Sequence, residues 1–194
     1  MRHSQPHDPL SANDYSRNRG FLIARREGPT ILALAYAGRS EDARAALEKA
    51  SRDQSEDEMD PANELADYLE AAVIIRDRKL AAAFAGLLGD LTAVHRQISV
   101  SNVARPLGEA AALTGDLATA RRHYDRSLTW ATQIRHRPEI ALTRLALAEL
   151  LLEGSSDERA EAKSHLDFAI EEFRAMKMQP SLERALRHKG LLHA

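Results

Sequence analysis

An all-α fold, built as a right-handed superhelical solenoid, is the class that this sequence predicts. Three observations predict it. The first is a signature recurring about every 38 residues. It reads Gly38-Arg39-Ser40…Ala43…Leu47…Ala50, then Asp77…Ala82…Gly86…Gly89, then Gly115-Asp116…Ala120…Tyr124…Ser127, then Gly154…Ala162…Leu166…Ala169. In each, a small residue is followed four positions on by a place that is usually large, and three further on by another small one. That is one face of a helix. The second observation is the turn ahead of each signature, which closes a preceding apolar stretch and makes the unit helix–turn–helix. The third is composition: hydrophobic residues make up 44% but aromatics only 5%, so the apolar content is mostly Ala and Leu, which suit helices and close helix packing. Charged residues at 29% fit helices that keep one face wet.

The elements follow in order. Residues 1–27 form a polar tail, with a short helix expected around Asp14–Arg26. Gly28-Pro29-Thr30 starts a helix carrying Ile31, Leu32, Leu34 and Tyr36, stopped near Gly38. Ser40 caps the next helix, with Glu41 and Asp42 in its first turn and Ala43, Leu47 and Ala50 inward. Arg52–Pro61 reads as a solvated acidic linker, because it lacks the central Gly of a calcium loop. A helix from about Ala62 to Arg76 turns Leu65, Leu69, Val73 and Tyr68 inward. Its partner, about Arg78–Leu88, is broken by Gly89-Asp90. Residues 90–98, with Leu91, Val94 and Ile98, read equally as helix or as an apolar connection. The window Val100–Thr114 carries Val103, Leu107 and Ala111, and Pro106 requires either a kink or a later start. Residues 117–135 form a helix with Leu117, Ala120, Tyr124, Leu128 and Ala131 inward. A Leu-rich helix spans 139–153, another 157–176 with Ala162, Leu166, Ala169 and Phe173 inward, and Pro180-Ser181 opens a capping helix to about Leu192. The repeat domain is therefore 28–194, with units about 28–53, 62–89, 99–135 and 138–177 and a cap at 180–193.

Several function classes recede on composition alone. Net charge is −2, which gives no electrostatic footprint for nucleic acid or an anionic membrane. There is no cysteine, so thiolate metal sites and a cysteine nucleophile are excluded. No apolar run reaches the roughly 18 residues of a membrane span, and the N-terminus lacks a signal-peptide core. A soluble cytoplasmic protein is the expectation. The eight histidines include no His-Glu-x-x-His and no i, i+4 pair on an expected helix. His123 and His165 read as half-exposed helix positions, and His188 suits a helix C-terminus. The pairs Glu171-Glu172 and Glu41-Asp42 are adjacent in sequence and diverge on a helix, unlike a converging acid–base pair. The basic clusters Arg121-Arg122 and Arg135-His136-Arg137 lack interleaved aromatics. No catalytic, metal or cofactor-binding residue is expected.

The stretch Leu107-Gly108…Ala111…Gly115-Asp116…Ala120…Tyr124…Ser127-Leu128 resembles a tetratricopeptide repeat. Ser127 stands where that family usually has Ala, and Ala104 stands near the place of its early large aromatic. The other units match at the turn and second helix, so the resemblance covers about 30–194. A further likeness lies in Arg137-Pro138-Glu139-Ile140-Ala141-Leu142-Thr143-Arg144-Leu145 with Leu147-Ala148-Glu149-Leu150-Leu151-Leu152, and in Met178-Gln179-Pro180-Ser181-Leu182-Glu183-Arg184-Ala185-Leu186. These resemble the C-terminal repeat arm of bacterial MalT-like or LuxR-like regulators and of cyclase–ATPase–repeat fusions. The chain has no phosphate-binding Gly-x-x-x-x-Gly-Lys-Ser/Thr run, so the likeness carries neither ATPase nor transcriptional activity to it.

The resemblance implies that the first helix of each pair lines a concave groove. It places Asn102, Arg105, Glu109 and Ala112 there in the third unit, and Leu145, Glu149 and Leu152 in the fourth. Glu109 occupies a place where carboxylate-holding relatives carry Asn, so a mixed groove for a helix or extended peptide is the better expectation. The function expected is a non-catalytic protein–protein interaction or scaffold module in bacterial signalling or transcriptional regulation. The alternative is a small-molecule-sensing arm that holds an effector in the groove. A third option is a homodimer through an exposed Leu-rich 139–153 helix.

Overall fold

The computed structural model describes residues 27–53, 62–94, 103–152 and 154–191. All regular structure among them is helical. The helices are α1 (Gly28–Tyr36), α2 (Ser40–Asp53), α3 (Ala62–Ile74), α4 (Arg78–Val94), α5 (Ala104–Thr114), α6 (Leu117–Gln133), α7 (Arg137–Leu151), α8 (Ser156–Ala175) and α9 (Gln179–Leu191). The expected tail with its Asp14–Arg26 helix, the acidic segment 54–61 and Asn102 lie outside the described residues.

Chain punctuation follows one local chemistry. Gly38, Arg76 and Gly115 occupy the left-handed region, with φ of 74°, 57° and 95°. After each, an amide reaches back to close the preceding helix: Arg39 to the Leu34 carbonyl, Asp77 to Ala72 and Asp116 to Ala111. This is the αL cap, in which a residue of positive φ lets the backbone satisfy orphaned helix carbonyls. Arg135 and Lys177 repeat it, with φ of 56° and 57°, at the ends of α6 and α8. The starts of α4, α6 and α8 are capped by side chains. Asp116 accepts from the Thr119 amide at 3.0 Å, and Asp77 accepts from those of Lys79 and Leu80, each at 3.1 Å. Ser155 and Glu158 exchange bonds as a capping box.

Packing joins only near neighbours in the chain. Among the described helices each packed pair is one or two places apart: α1 on α2 and α3, α3 on α4 and α5, α5 on α6 and α7, α7 on α8 and α9, with α2 on α3 and α4, α4 on α5, α6 on α7, and α8 on α9. The core runs along this order in linked sections. Leu47, Leu65, Leu69, Phe84 and Leu88 fill the α1–α5 section. Ala120, Tyr124, Ala146 and Leu147 join α6 to α7, and Leu145, Leu166, Ile170 and Phe173 join α7 to α8 and α9. Small residues set the closeness of approach: Ala43, Ala81, Ala120 and Ala162 are fully buried. A Cβ built on Gly108 would come within 2.5 Å of the Tyr124 ring, so α5 and α6 meet at a spacing only glycine permits.

Several expectations are corrected. The second signature is one residue out of register: Ala82 and Gly86 are exposed, whereas Ala81, Phe84 and Leu88 are buried. α4 is not broken at Gly89-Asp90 but continues to Val94, because a glycine weakens a helix without removing a hydrogen bond. α5 begins at Ala104, which puts Pro106 in the first turn, where its missing N–H costs nothing. Ser40 is the first residue of α2 rather than the residue before it, and Arg52 and Asp53 are still helical. Leu117, expected inward, is 55% exposed at the start of α6. The leucines of α7 are spent inside: Leu145, Leu147 and Leu151 are buried and Leu142, Leu150 and Leu152 are partly buried, so that helix offers no exposed Leu-rich face.

Candidate partner-binding face

Alternate helices form a row. α1 packs on α3, α3 on α5, α5 on α7 and α7 on α9. A chain of polar contacts crosses that row. The Tyr36 hydroxyl on α1 donates to Glu70 Oε1 on α3 at 2.7 Å. Arg105 on α5 donates to Glu70 at 3.3 Å, to Glu109 one turn away at 2.9 Å and to Glu139 on α7 at 3.0 Å. Glu139 also accepts from Ser127 at 3.4 Å. Further along, Arg184 on α9 donates to Glu149 on α7 at 2.6 Å, and His188 Nε2 lies 2.8 Å from the same carboxylate. Arg105 is 8% exposed and Glu139 is equally buried.

The charges of the row meet protein partners. Burial works against the Arg105 cation, yet Glu109, Glu139 and Glu70 together hold its pKa well above the ordinary guanidinium value. Burial raises Glu109 against the pull of Arg105. Glu149 is lowered: burial opposes its charge, but the His188 bond and Arg184 prevail. Nearby on α3, Glu64 accepts the Gly28 amide at 2.7 Å, closing the start of α1. Burial, with Glu64 and Glu70 behind it, pushes the neighbouring Asp67 up to about 6.

The residues expected on the groove fall into three groups. Arg105, Glu109 and Glu149 lie on the polar row and are engaged by protein partners. Ala112 is partly buried against the α6–α7 core, and Leu152 against the α7–α9 core. Leu145 is 1% exposed and belongs to the core itself. Tyr36, Glu70, Glu139, Arg184 and His188 complete the row and were not expected on the groove. One signal could have found them. Tyr36–Glu70 and Arg105–Glu139 are separated by 34 residues, and Glu70–Arg105 and Glu149–Arg184 by 35. Complementary groups recur at a repeat period, whereas a search for similarity looks for like residues.

Among the described residues no group of three or more His, Asp or Glu is arranged to hold a metal ion, and no helix is long and apolar enough to cross a membrane. Comparison with family models, with curated proteins and with solved structures gives no match.

Proposed function

We propose that the chain is a non-catalytic protein–protein interaction or scaffold module of tetratricopeptide-like form. In this reading about four helix pairs stack as a right-handed superhelical solenoid, α9 caps the end, and the row α1–α3–α5–α7–α9 is the concave, partner-facing side. The observation that carries it is the packing order: no described helix packs on one more than two places away in the chain. That leaves the row without a covering layer. Three features support the same reading. The αL turns at Gly38, Arg76 and Gly115 recur in register. The close approach at Gly108–Tyr124 joins the two helices of one unit. The ion pairs that bridge successive helices of the row keep a separation of 34 or 35 residues, near the 34 of a tetratricopeptide repeat.

The chemistry of the row favours a basic partner segment. Glu70, Glu109, Glu139 and Glu149 outnumber Arg105 and Arg184, and Tyr36 stands 67% exposed beside them. A helix or extended peptide carrying Lys or Arg would meet complementary charge there. The test pairs affinity capture with a thermal-shift panel of metabolites. The docking reading expects one stoichiometric partner whose binding weakens with Tyr36→Ala and with salt, and no metabolite that raises the melting midpoint. A saturable rise with a metabolite, without a partner, would replace docking by effector sensing.

A further inference from the structure

Charge is spread unevenly along the row. α1 carries no charged residue from Gly28 to Tyr36. α3 and α5 together carry the carboxylates Glu64, Asp67, Glu70 and Glu109 against a single cation, Arg105. That cation is shared in turn with Glu139 on α7. Toward the other end the balance turns. α7 sets Arg137 and Arg144 beside Glu139 and Glu149, and α9 sets Arg184, Arg187 and Lys189 beside Glu183. The negative end is therefore α3–α5. It is also the end at which the chain enters the described structure. Gly28 marks the entry: its amide donates to Glu64 at 2.7 Å, and a Cβ built on it would lie 2.9 Å from Asp67 Oδ2.

The chain ahead of that entry has the opposite character. Residues 17–26 read Arg17-Asn18-Arg19-Gly20-Phe21-Leu22-Ile23-Ala24-Arg25-Arg26 and lie outside the described residues. They hold four arginines and no acid, and Phe21, Leu22 and Ile23 are their large apolar residues. A basic segment with an apolar centre is the chemistry that the row favours in a partner. Length permits the contact. Ten residues reach about 33 Å when extended, and two steps along the row, from α1 to α5, cover about 18 Å. Attachment at Gly28 also gives the segment an effective concentration on the order of millimolar, which an external partner has to overcome.

We infer that residues 17–26 of the same chain dock across α1, α3 and α5 and occupy the acidic end of the row as a built-in competitor of an external basic partner. The inference rests on the partner-facing reading of that row. The arginines of the segment meet Glu70 and Glu109, both partly open to solvent, and its apolar centre rests against the exposed Tyr36 ring. A partner then binds by displacing the segment, so the segment sets the threshold for docking.

The test uses the full chain, which has no cysteine and so takes a single spin label at Asn18→Cys. The expected result is that the label broadens the nitrogen-15 amide signals of Tyr36, Glu70 and Glu109 and spares those of Lys163 and Arg174, exposed on α8. A synthetic peptide of residues 17–26 is then titrated into the native chain and into one with Arg17→Glu, Arg19→Glu, Arg25→Glu and Arg26→Glu combined. The native chain should bind it about tenfold or more weakly, because the tethered segment competes. Equal binding by the two chains overturns the inference and leaves the row as a site for basic segments. Binding to neither chain overturns it too, and if neither captures a partner the partner-facing reading falls with it. Absence of broadening on the row also overturns the inference. So does broadening that passes from a labelled chain to a separate nitrogen-15 chain mixed with it, which would make the occupant a second copy. The label measurement decides the matter even where the charge-reversed chain does not fold.

Discussion

At the scale of single residues, backbone conformation and buried charge make the strongest claims. Arg76 fills a left-handed position that Gly38 and Gly115 fill elsewhere, at a cost of about 1–2 kcal/mol for a residue with a Cβ. Arg76→Gly relieves that cost, offset by glycine's greater freedom when unfolded. The net expectation is ~0.5–1 kcal/mol of added stability and a melting midpoint about 1–4 °C higher. A lower midpoint would contradict the assignment. Arg105 works in the opposite sense. Arg105→Met leaves Glu109, Glu139 and Glu70 confined without their cation, which should cost about 3–5 kcal/mol at pH 7. Those carboxylates then protonate more readily when folded than unfolded, so the variant recovers stability as pH falls, and denaturant melts at pH 5 and pH 7 measure the recovery. Asp67 has a folded pKa of about 6 against 3.8 for the free side chain. The folded state therefore binds the extra proton between those values, and stability declines as pH rises through that window. Asp67→Asn abolishes that slope and is more stable above pH 6, by ~1 kcal/mol once partial exposure is allowed for. A slope unchanged in the variant would place the effect elsewhere.

At the scale of helices, the close contact of α5 with α6 is the sharpest case. Gly108→Ala normally stabilises a helix interior by about 1 kcal/mol. Here the added methyl meets the Tyr124 ring at 2.5 Å and the Ala120 carbonyl at 3.2 Å. A loss of about 1–3 kcal/mol is expected, and it should shrink in the Tyr124→Leu background; additive effects would contradict direct contact. The elements easiest to read from sequence were those in which local chemistry agreed with packing. α6 and α8 carry a side-chain cap followed by small and large residues at helical spacing, and Ala120, Tyr124, Ala162, Leu166, Ala169 and Phe173 are all buried as expected. α4 was harder for one reason. Its preceding turn uses Arg76 in the αL position, so a reader guided by glycine and acid takes Asp77 as the marker and places the face one residue late. The polar row was the least legible part. Arg105 and Glu109 drew attention because the repeat resemblance places both on the groove, but Glu70 and Glu139 enter from other helices and become neighbours only through stacking.

At the scale of the whole molecule, the account rests on order of packing. In the proposed solenoid, contacts between helices one or two places apart build the molecule along one axis, and its stability is a sum of neighbouring interfaces. Because the chain has no cysteine, two can be introduced as unique spin-label sites. The most direct measurement is the electron–electron distance between labels at Ala33→Cys on α1 and Arg187→Cys on α9, both exposed positions. Four steps along the row, at about 9 Å between neighbouring axes, predict a distribution centred at about 35 Å. A distribution centred below about 20 Å, as when the first and last helices touch in a closed bundle, would contradict the stack.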